Sequence, residues 1–155
     1  MNVTFGQRTD YAVRALLDIA ASASGRRKTR EIADEMNIPQ RYLSQILAVL
    51  VQRGLLVAYA GQNGGYELAR PASEIDMLDV IDVFEGAGER PSRCLLRGIP
   101  CGTDGTCAAH EAWSSAQAAM TARLGATTFA ELAERERRLR VDRPPRGGSA
   151  PGSAP

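Results

Sequence analysis

Three cysteines and the chain's one histidine lie within seventeen consecutive positions. Cys94, Cys101, Cys107 and His110 are separated by gaps of six, five and two residues, among Gly, Pro, Asp and Thr. The residues around the cysteines are mostly not the apolar types that fill protein cores. The three thiols are therefore poorly explained as small hydrophobic side chains buried in the core. Thiolates together with an imidazole are ligands for soft or borderline metals. The spacing therefore predicts one metal site with these four residues as its ligands.

The width of the gaps indicates which metal the site would hold. Structural zinc sites usually pair ligands across two to four residues. An iron–sulfur cluster is a larger object, held by thiolates and in some proteins also by imidazole. Gaps of six and five residues favour the cluster. A zinc site and a redox-active thiol switch are the alternatives.

Composition limits the other function classes. The 155 residues are 44% hydrophobic and 24% charged, with no apolar run near the ~20 residues that a membrane span needs. The N-terminus lacks the basic-then-apolar pattern of a secretion signal. We therefore expect a cytoplasmic protein with no membrane partner and no small-molecule substrate. The sequence contains no nucleophile elbow, phosphate loop or C-x-x-C motif, which makes a thiol redox enzyme the least favoured class.

The ligands must be held by elements that apolar spacing predicts. The fold class is mainly α with a small β-hairpin, whose strands, Leu55–Tyr59 and Tyr66–Leu68, flank a Gly-rich loop. The predicted helices are residues 10–23, a short helix with Thr29 as N-cap, 40–52, 77–85 closed by Gly86, 108–124, and a last helix opened by a capping box at Thr128-Phe-Ala-Glu131.

The order of these elements predicts a winged helix–turn–helix. The apolar stripe of residues 40–52 must face inward, so the polar residues of its N-terminal half can enter a DNA major groove. Arg41 and Tyr42 are also placed to reach phosphates. The predicted DNA-contacting residues are Thr29, Gln40, Arg41, Tyr42, Ser44, Gln45, Gln62, Asn63 and Gly64. The hairpin loop has no Lys or Arg, which weakens the case for phosphate contact by the wing. A protein–protein module is the alternative.

Charge is distributed unevenly along the chain. Residues 1–70 hold nine basic and six acidic residues, net +3; residues 71–90 hold one and six, net −5; residues 91–155 hold nine and six, net +3. A basic N-terminal module followed by an acidic connector is compatible with a nucleic-acid partner. A solvated charged face explains the same numbers equally well.

A second apolar surface predicts self-association. Trp113, Ala116, Met120 and Leu124 form one stripe on the Ala-rich helix, and a partner helix is its natural cover. Packing within the chain is the alternative. The expected organisation is a winged helix–turn–helix at 1–70, a connector helix at 71–92, a cysteine-rich loop at 93–110, dimerisation and C-terminal helices at 108–141, and a disordered tail at 142–155.

Taken together, these features resemble the IscR/NsrR/RirA-type family of bacterial winged-helix transcription regulators, from Val3 to about Leu132. The matching segments are Asp10–Asp18, Glu31–Asp34, Ile38–Gln45, Gly54–Val57, Gly64–Tyr66, the three cysteines and His110–Trp113. The resemblance implies a homodimer that binds a pseudo-palindromic double-stranded operator and carries one cluster per subunit. It implies a repressor whose operator affinity follows iron, redox or nitric oxide through the cluster. A zinc-stabilised repressor is the alternative.

The resemblance offers two candidates for the fourth ligand. His110 matches the histidine that completes a 2Fe–2S site in IscR-like members. Asp10 matches the acidic residue that NsrR-like members supply from the partner's first helix to a 4Fe–4S cluster. The segment Cys107–Trp113 follows the IscR-like pattern most closely, so His110 and 2Fe–2S are favoured. Ser44 stands where IscR-like members place an acidic residue, which puts a cluster-dependent switch of operator preference in doubt.

Overall fold

A computed structural model of the chain describes residues 5–86 and 108–141. The elements are α1 (Gln7–Ala21), α2 (Thr29–Met36), α3 (Gln40–Gln52), β1 (Leu56–Tyr59), β2 (Gly65–Leu68), a 3-10 turn (Ala72–Glu74), α4 (Met77–Glu85), α5 (His110–Gly125) and α6 (Phe129–Val141). The predicted mainly α class with one antiparallel hairpin is confirmed. In the described ranges, no helix has both the length and the apolar character of a membrane span.

The first three helices pack around one apolar core. The stripe predicted for α3 is buried, with Leu43, Ile46, Leu47 and Leu50 all turned inward. The predicted N-cap of α2 is wrong by one residue. Lys28 occupies the cap position, and its backbone N–H donates to the Glu31 carboxylate at 2.8 Å. Glu31 thus satisfies the backbone N–H of the cap residue, and Thr29 is the first helical residue.

The hairpin depends on glycine. Its register pairs Leu56 with Leu68 and Tyr59 with Gly65. A Cβ on Gly64 would lie 2.3 Å from the backbone oxygen of Tyr59, so the turn has no room for any side chain. Gly61 has φ +92°, a conformation that other residues rarely adopt.

The C-terminal elements separate into an exposed helix and a buried one. No residue of α5 is buried. The chain then turns at the predicted capping box, where Glu131 N–H donates to the Thr128 hydroxyl at 3.3 Å. In α6, Phe129 and Ala133 are completely buried. Helix α6 therefore returns to the N-terminal core, against α1, while α5 projects from it.

One buried carboxylate joins three parts of this core. Asp18, on α1, is 1% exposed. It accepts from Arg27 Nε at 2.8 Å and from Arg140 Nη2, on α6, at 3.2 Å. Arg140 also meets Glu136 at 3.0 Å and Glu35, on α2, at 3.5 Å. The network ties the loop before α2, the end of α6 and the middle of α1 together.

A second carboxylate, Asp82 on α4, lacks such partners. Its Oδ1 is buried, and no hydrogen bond to it is found in the described part of the chain. Burial raises the pKa of Asp82, and the carboxylates of Asp76 and Asp79 raise it further. Between the unfolded and folded pKa values the folded protein binds more protons than the unfolded chain, so stability falls as pH rises through that window.

Replacing Asp82 by asparagine is expected to stabilise the protein at pH 7. The expected gain in the free energy of unfolding is about 0.5 kcal/mol, the usual size of the repulsion in a like-charge i,i+3 pair, here Asp79 and Asp82. It should vanish below about pH 4, where an unfolded aspartate is also protonated. Urea unfolding at pH 7 and pH 3.5 measures both values. The control Asp79→Asn should instead destabilise at pH 7, because Asp79 pairs with Arg70 at 2.8 Å. A destabilised Asp82→Asn protein at pH 7 would contradict this account.

Candidate nucleic-acid interface and metal ligands

The predicted recognition residues share the solvent face of α3. Gln40, Arg41, Ser44 and Gln45 are exposed, and Tyr42 is 54% exposed. Apolar burial on the opposite face fixes this orientation. The Ser44 hydroxyl donates to the Gln40 carbonyl at 3.1 Å, so its proton is engaged inside the helix. The face offers two free amides and a guanidinium, groups that pair with base edges.

The remaining predicted DNA-contacting residues lie at two nearby places. Gln62 and Asn63 are exposed at the tip of the hairpin, and Thr29 is half-buried at the start of α2. Gly64 differs from its neighbours because it is buried. Its position closes the turn, where its N–H donates to the Gly61 carbonyl at 3.0 Å.

Two cations missed by sequence reasoning lie at the hairpin tip. The Lys28 ammonium donates to the Gln62 carbonyl at 2.8 Å, and Arg26 Nη1 donates to the Asn63 carbonyl at 3.1 Å. Both come from the loop before α2, about 35 residues earlier in the chain. The bunching of basic residues at 26–30 was visible in the sequence. The sequence did not show that these basic residues lie next to the hairpin tip.

The predicted metal ligands divide between described and undescribed residues. Cys94, Cys101 and Cys107 lie outside the described ranges. His110 is the first residue of α5 and is half-buried. Within residues 5–86 and 108–141, no group of three or more His, Cys, Asp or Glu could hold a metal ion.

The alternative ligand, Asp10, is already engaged. Both its oxygens accept from Arg14, one turn later on α1. The hydrogen bond to Asp10 raises the pKa of Arg14, against the opposing effect of burial. Arg14 also donates to the Met36 carbonyl at 3.1 Å, which holds the guanidinium in place. A metal at Asp10 would share or exchange the carboxylate of this exposed pair.

The last turn of α4 caps the first turn of α1. Glu85 Oε1 accepts from the Gly6 N–H at 2.8 Å and from the Thr9 hydroxyl at 2.6 Å. The Arg8 guanidinium lies 5.2 Å from the centroid of the Phe84 ring. The start of α1 also shares a cleft with α3, lined by Gln7, Arg8, Tyr11, Tyr42, Gln45 and Ile46. The acidic connector helix therefore contacts an element that lies beside the recognition face.

The predicted dimerisation stripe is only partly covered. Trp113 and Leu124 are half-buried, whereas Ala116 is exposed and Met120 is 38% exposed. Within the described chain, α5 packs mainly on α4, and a Cβ placed on Gly125 would lie 3.6 Å from Leu78 Cδ2. Met120 and Ala116 of this stripe thus face solvent in the part of the chain that the structure describes.

Comparison with known families and proteins gives consistent matches. The family described as "Rrf2: Iron-dependent Transcriptional regulator" matches residues 5–135. An HTH-type transcriptional regulator of Mycobacterium tuberculosis, Rv1287, is 35% identical over 127 residues, covering 81% of this chain and 78% of the relative. The HTH-type transcriptional regulator IscR of Cronobacter sakazakii is 32% identical over 132 residues, covering 84% and 80%.

Solved structures with the same fold include two named regulators. IscR of T. potens matches with a TM-score of 0.72 at 25% identity, covering 90% of this chain and 92% of that one. CymR of B. subtilis, titled the global cysteine regulator, matches with a TM-score of 0.72 at 25% identity, covering 86% and 98%. The predicted winged-helix architecture is confirmed by these neighbours.

Proposed function

Because the chain belongs to the Rrf2 family of transcriptional regulators, we propose that it represses transcription through an iron–sulfur cluster that controls its affinity for a DNA operator. The cysteine-rich segment of this chain carries the proposal. The chain matches the solved structures of IscR and of CymR with the same identity and TM-score. These two matches therefore do not favour an iron–sulfur cluster over another regulatory chemistry. Family membership establishes the class: a DNA-binding regulator and not an enzyme.

The donor set fits an iron–sulfur cluster. Three thiolates and one imidazole satisfy four ligand positions, and iron–sulfur clusters accept this combination. The proposed ligands are Cys94, Cys101, Cys107 and His110, which favours 2Fe–2S. His110 is the favoured fourth ligand because it follows Cys107 by three residues, and Asp10, which pairs with Arg14 at the surface, is the alternative. When bound, the cluster supplies a centre sensitive to iron supply, oxidation and nitric oxide.

The proposed interface with DNA consists of α3 and the hairpin. The exposed face of α3 would enter the major groove, with the tip of the hairpin beside it on the backbone. The exposed stripe of α5 supports a homodimer in which a second copy covers Met120 and Ala116. Two copies with recognition helices about 34 Å apart would bind a pseudo-palindromic operator in the bacterial cytoplasm.

The contact between α4 and α1 suggests how the cysteine segment influences DNA binding. The chain leaves α4 at Gly86 and reaches Cys94 eight residues later. Glu85, directly before Gly86, holds the first turn of α1 through Gly6 and Thr9. A change at the cysteines can therefore shift α1 and, through the shared cleft, the position of α3. A coupling of about 1–3 kcal/mol is the usual scale of such effects.

Gln45→Ala is expected to lower operator affinity about ten- to hundredfold, because a lost amide–base pair costs about 1–3 kcal/mol. The operator is first isolated from a random duplex pool with the wild-type protein, and affinities are measured by fluorescence anisotropy. Gln52→Ala is the matched control, an exposed glutamine at the other end of the same helix. It should bind normally, and Gln45→Ala should keep wild-type affinity for a non-specific duplex. Equal losses in both variants would contradict the assignment.

The cluster is tested by anaerobic purification followed by visible absorption and by iron and sulfide quantification. We expect a coloured protein with iron and sulfide in equal amounts. Cys101→Ser and His110→Ala should lose most of the iron, while Asp10→Asn should retain it. Operator affinity should differ between the loaded protein and the same sample after iron chelation.

The alternatives give distinct results. A colourless protein that contains zinc would support the zinc-stabilised repressor instead. Iron loss in Asp10→Asn with retention in His110→Ala would assign the fourth ligand to Asp10 and favour 4Fe–4S. If loaded and cluster-free protein bind the selected operator equally, control by the cluster is wrong and only the DNA-binding function stands.

A further inference from the structure

The loop before α2 pairs with the hairpin through an isolated antiparallel β-bridge. The backbone of Arg27 pairs with that of Tyr66 through two hydrogen bonds, of 3.0 and 2.8 Å. The close approach requires Gly65, because a Cβ there would lie 2.7 Å from the Arg27 carbonyl oxygen. Gly65 has φ +143°, which also favours glycine. The loop before α2 is therefore part of the wing.

The loop before α2 brings the wing its positive charge. Residues 60–68 contain one charged side chain, Glu67, so the hairpin alone would repel DNA. Arg26 neutralises Glu67 at 2.6 Å and stacks over the Tyr59 ring with its Cζ 4.0 Å from the centroid. The charge of Arg26 is thus balanced by Glu67 within the wing. Arg27 is likewise engaged by the buried Asp18.

Lys28 is the cation that remains available at this tip. Its side chain is exposed and forms no ion pair with a carboxylate among the described residues. The ammonium has three N–H donors, and one is used by the Gln62 carbonyl at 2.8 Å. That bond fixes the charge at the hairpin tip and leaves two donors facing solvent.

We propose that Lys28 is the residue through which the wing binds a backbone phosphate of double-stranded DNA. The inference rests on the proposed DNA interface and adds a contact that the hairpin sequence cannot supply. An ammonium held at a fixed point, with two free donors and no competing carboxylate, matches a phosphate oxygen in charge and hydrogen bonding. Each protomer of a dimer contributes one such contact.

The salt dependence of DNA binding tests the proposal. Each phosphate contact makes the slope of log K against log [salt] more negative by about 0.9. Losing one contact per protomer therefore makes the slope of a dimer shallower by ~1.8. Lys28→Gln removes the charge but keeps an amide that can donate to Gln62. From 50 to 200 mM salt, the wild-type protein should lose about twelvefold more affinity than Lys28→Gln. Lys28→Arg should keep the wild-type slope.

Two controls make the result specific. Arg138→Gln removes the same charge from an exposed side chain on α6, which pairs with Glu134 at 3.0 Å, and should keep the wild-type slope. Lys28 is the only lysine in the chain, so an amine-reactive acylating reagent modifies it and no other side-chain amine. Saturating duplex DNA should slow acylation of Lys28 at least fivefold in mass spectrometry, relative to DNA-free protein.

The outcomes separate this proposal from the proposed function. If the wild-type protein binds the selected duplex while Lys28→Gln keeps its full salt slope, or DNA leaves Lys28 acylation unchanged, the Lys28 contact is wrong and the DNA interface stands. If the wild-type protein binds neither the selected nor a random duplex, both are overturned. A reduced slope in Lys28→Gln alone, with DNA protection of Lys28, supports the proposal.

Discussion

Replacing Asp18 by alanine should lower the free energy of unfolding by about 3 kcal/mol. Removing one partner from a buried ion pair costs about 3–5 kcal/mol, because the remaining charge is left in a poorly solvated place. We expect the lower end of that range. The side chains of Arg27 and Arg140 are 24% and 30% exposed, and water can partly solvate them once the carboxylate is gone. Urea unfolding at one fixed protein concentration gives the value.

The comparison with a surface aspartate decides whether burial is the cause. Asp34 pairs with Arg30 one turn away at 3.8 Å, and both side chains are at least three-quarters exposed. Asp34→Ala should therefore change stability by less than about 0.5 kcal/mol. Similar losses in the two variants would show that the Asp18 network adds nothing beyond an ordinary surface pair. Hydrogen exchange at the Tyr66 amide should also speed up in Asp18→Ala, since Asp18 holds Arg27, whose carbonyl accepts from that amide at 2.8 Å.

The second large effect is expected at Phe129. Phe129→Ala should cost about 3–5 kcal/mol, the usual range for truncating a fully buried aromatic residue. Phe129 is completely buried, and its N–H donates to the Ile75 carbonyl at 2.8 Å. It fastens the beginning of α6 to the core, so its loss also weakens the contact of Arg140 with Asp18 at the other end of that helix.

An exposed leucine near the other end of α6 provides the control. Leu139 is 57% exposed, so Leu139→Ala should change the unfolding free energy by less than about 0.5 kcal/mol. If Phe129→Ala costs under 1 kcal/mol, α6 is not an integral part of the core. The double variant Phe129→Ala/Asp18→Ala should lose less than the sum of the single variants, because both act on the docking of α6.

The spacing of apolar and capping residues predicted much of the helical part of this fold. The inward stripe of α3, the end of α4 at Gly86 and the capping box at Thr128 were predictable because each depends on residues within one or two turns. The N-cap of α2 failed for the same local reason. A hydroxyl residue is the preferred cap, but here the Glu31 carboxylate accepts from the backbone N–H of Lys28, and the helix begins directly after Lys28 with Thr29 inside it.

The packing of α6 against the core could not be predicted from residue spacing. Its sequence is strongly charged, and its two buried residues, Phe129 and Ala133, give too weak a pattern to indicate a core helix. Its docking depends on Asp18 and Ile75, which are distant in sequence. Long-range contacts of this kind follow from how the faces of several elements fit together, and no single segment records them.

The sequence by itself determined the helix–turn–helix order and the polar face of α3, because spacing within one segment specifies each of these, and the same kind of spacing predicts the set of soft metal ligands. Only the tertiary structure decided that Lys28 supplies a charge to the hairpin, that Glu85 holds the start of α1 and that Asp18 joins α1 to α6. The residues concerned are 34, 76 and 122 positions apart. Electrostatic and hydrogen-bond partners at such separations are selected by packing, which no local pattern encodes.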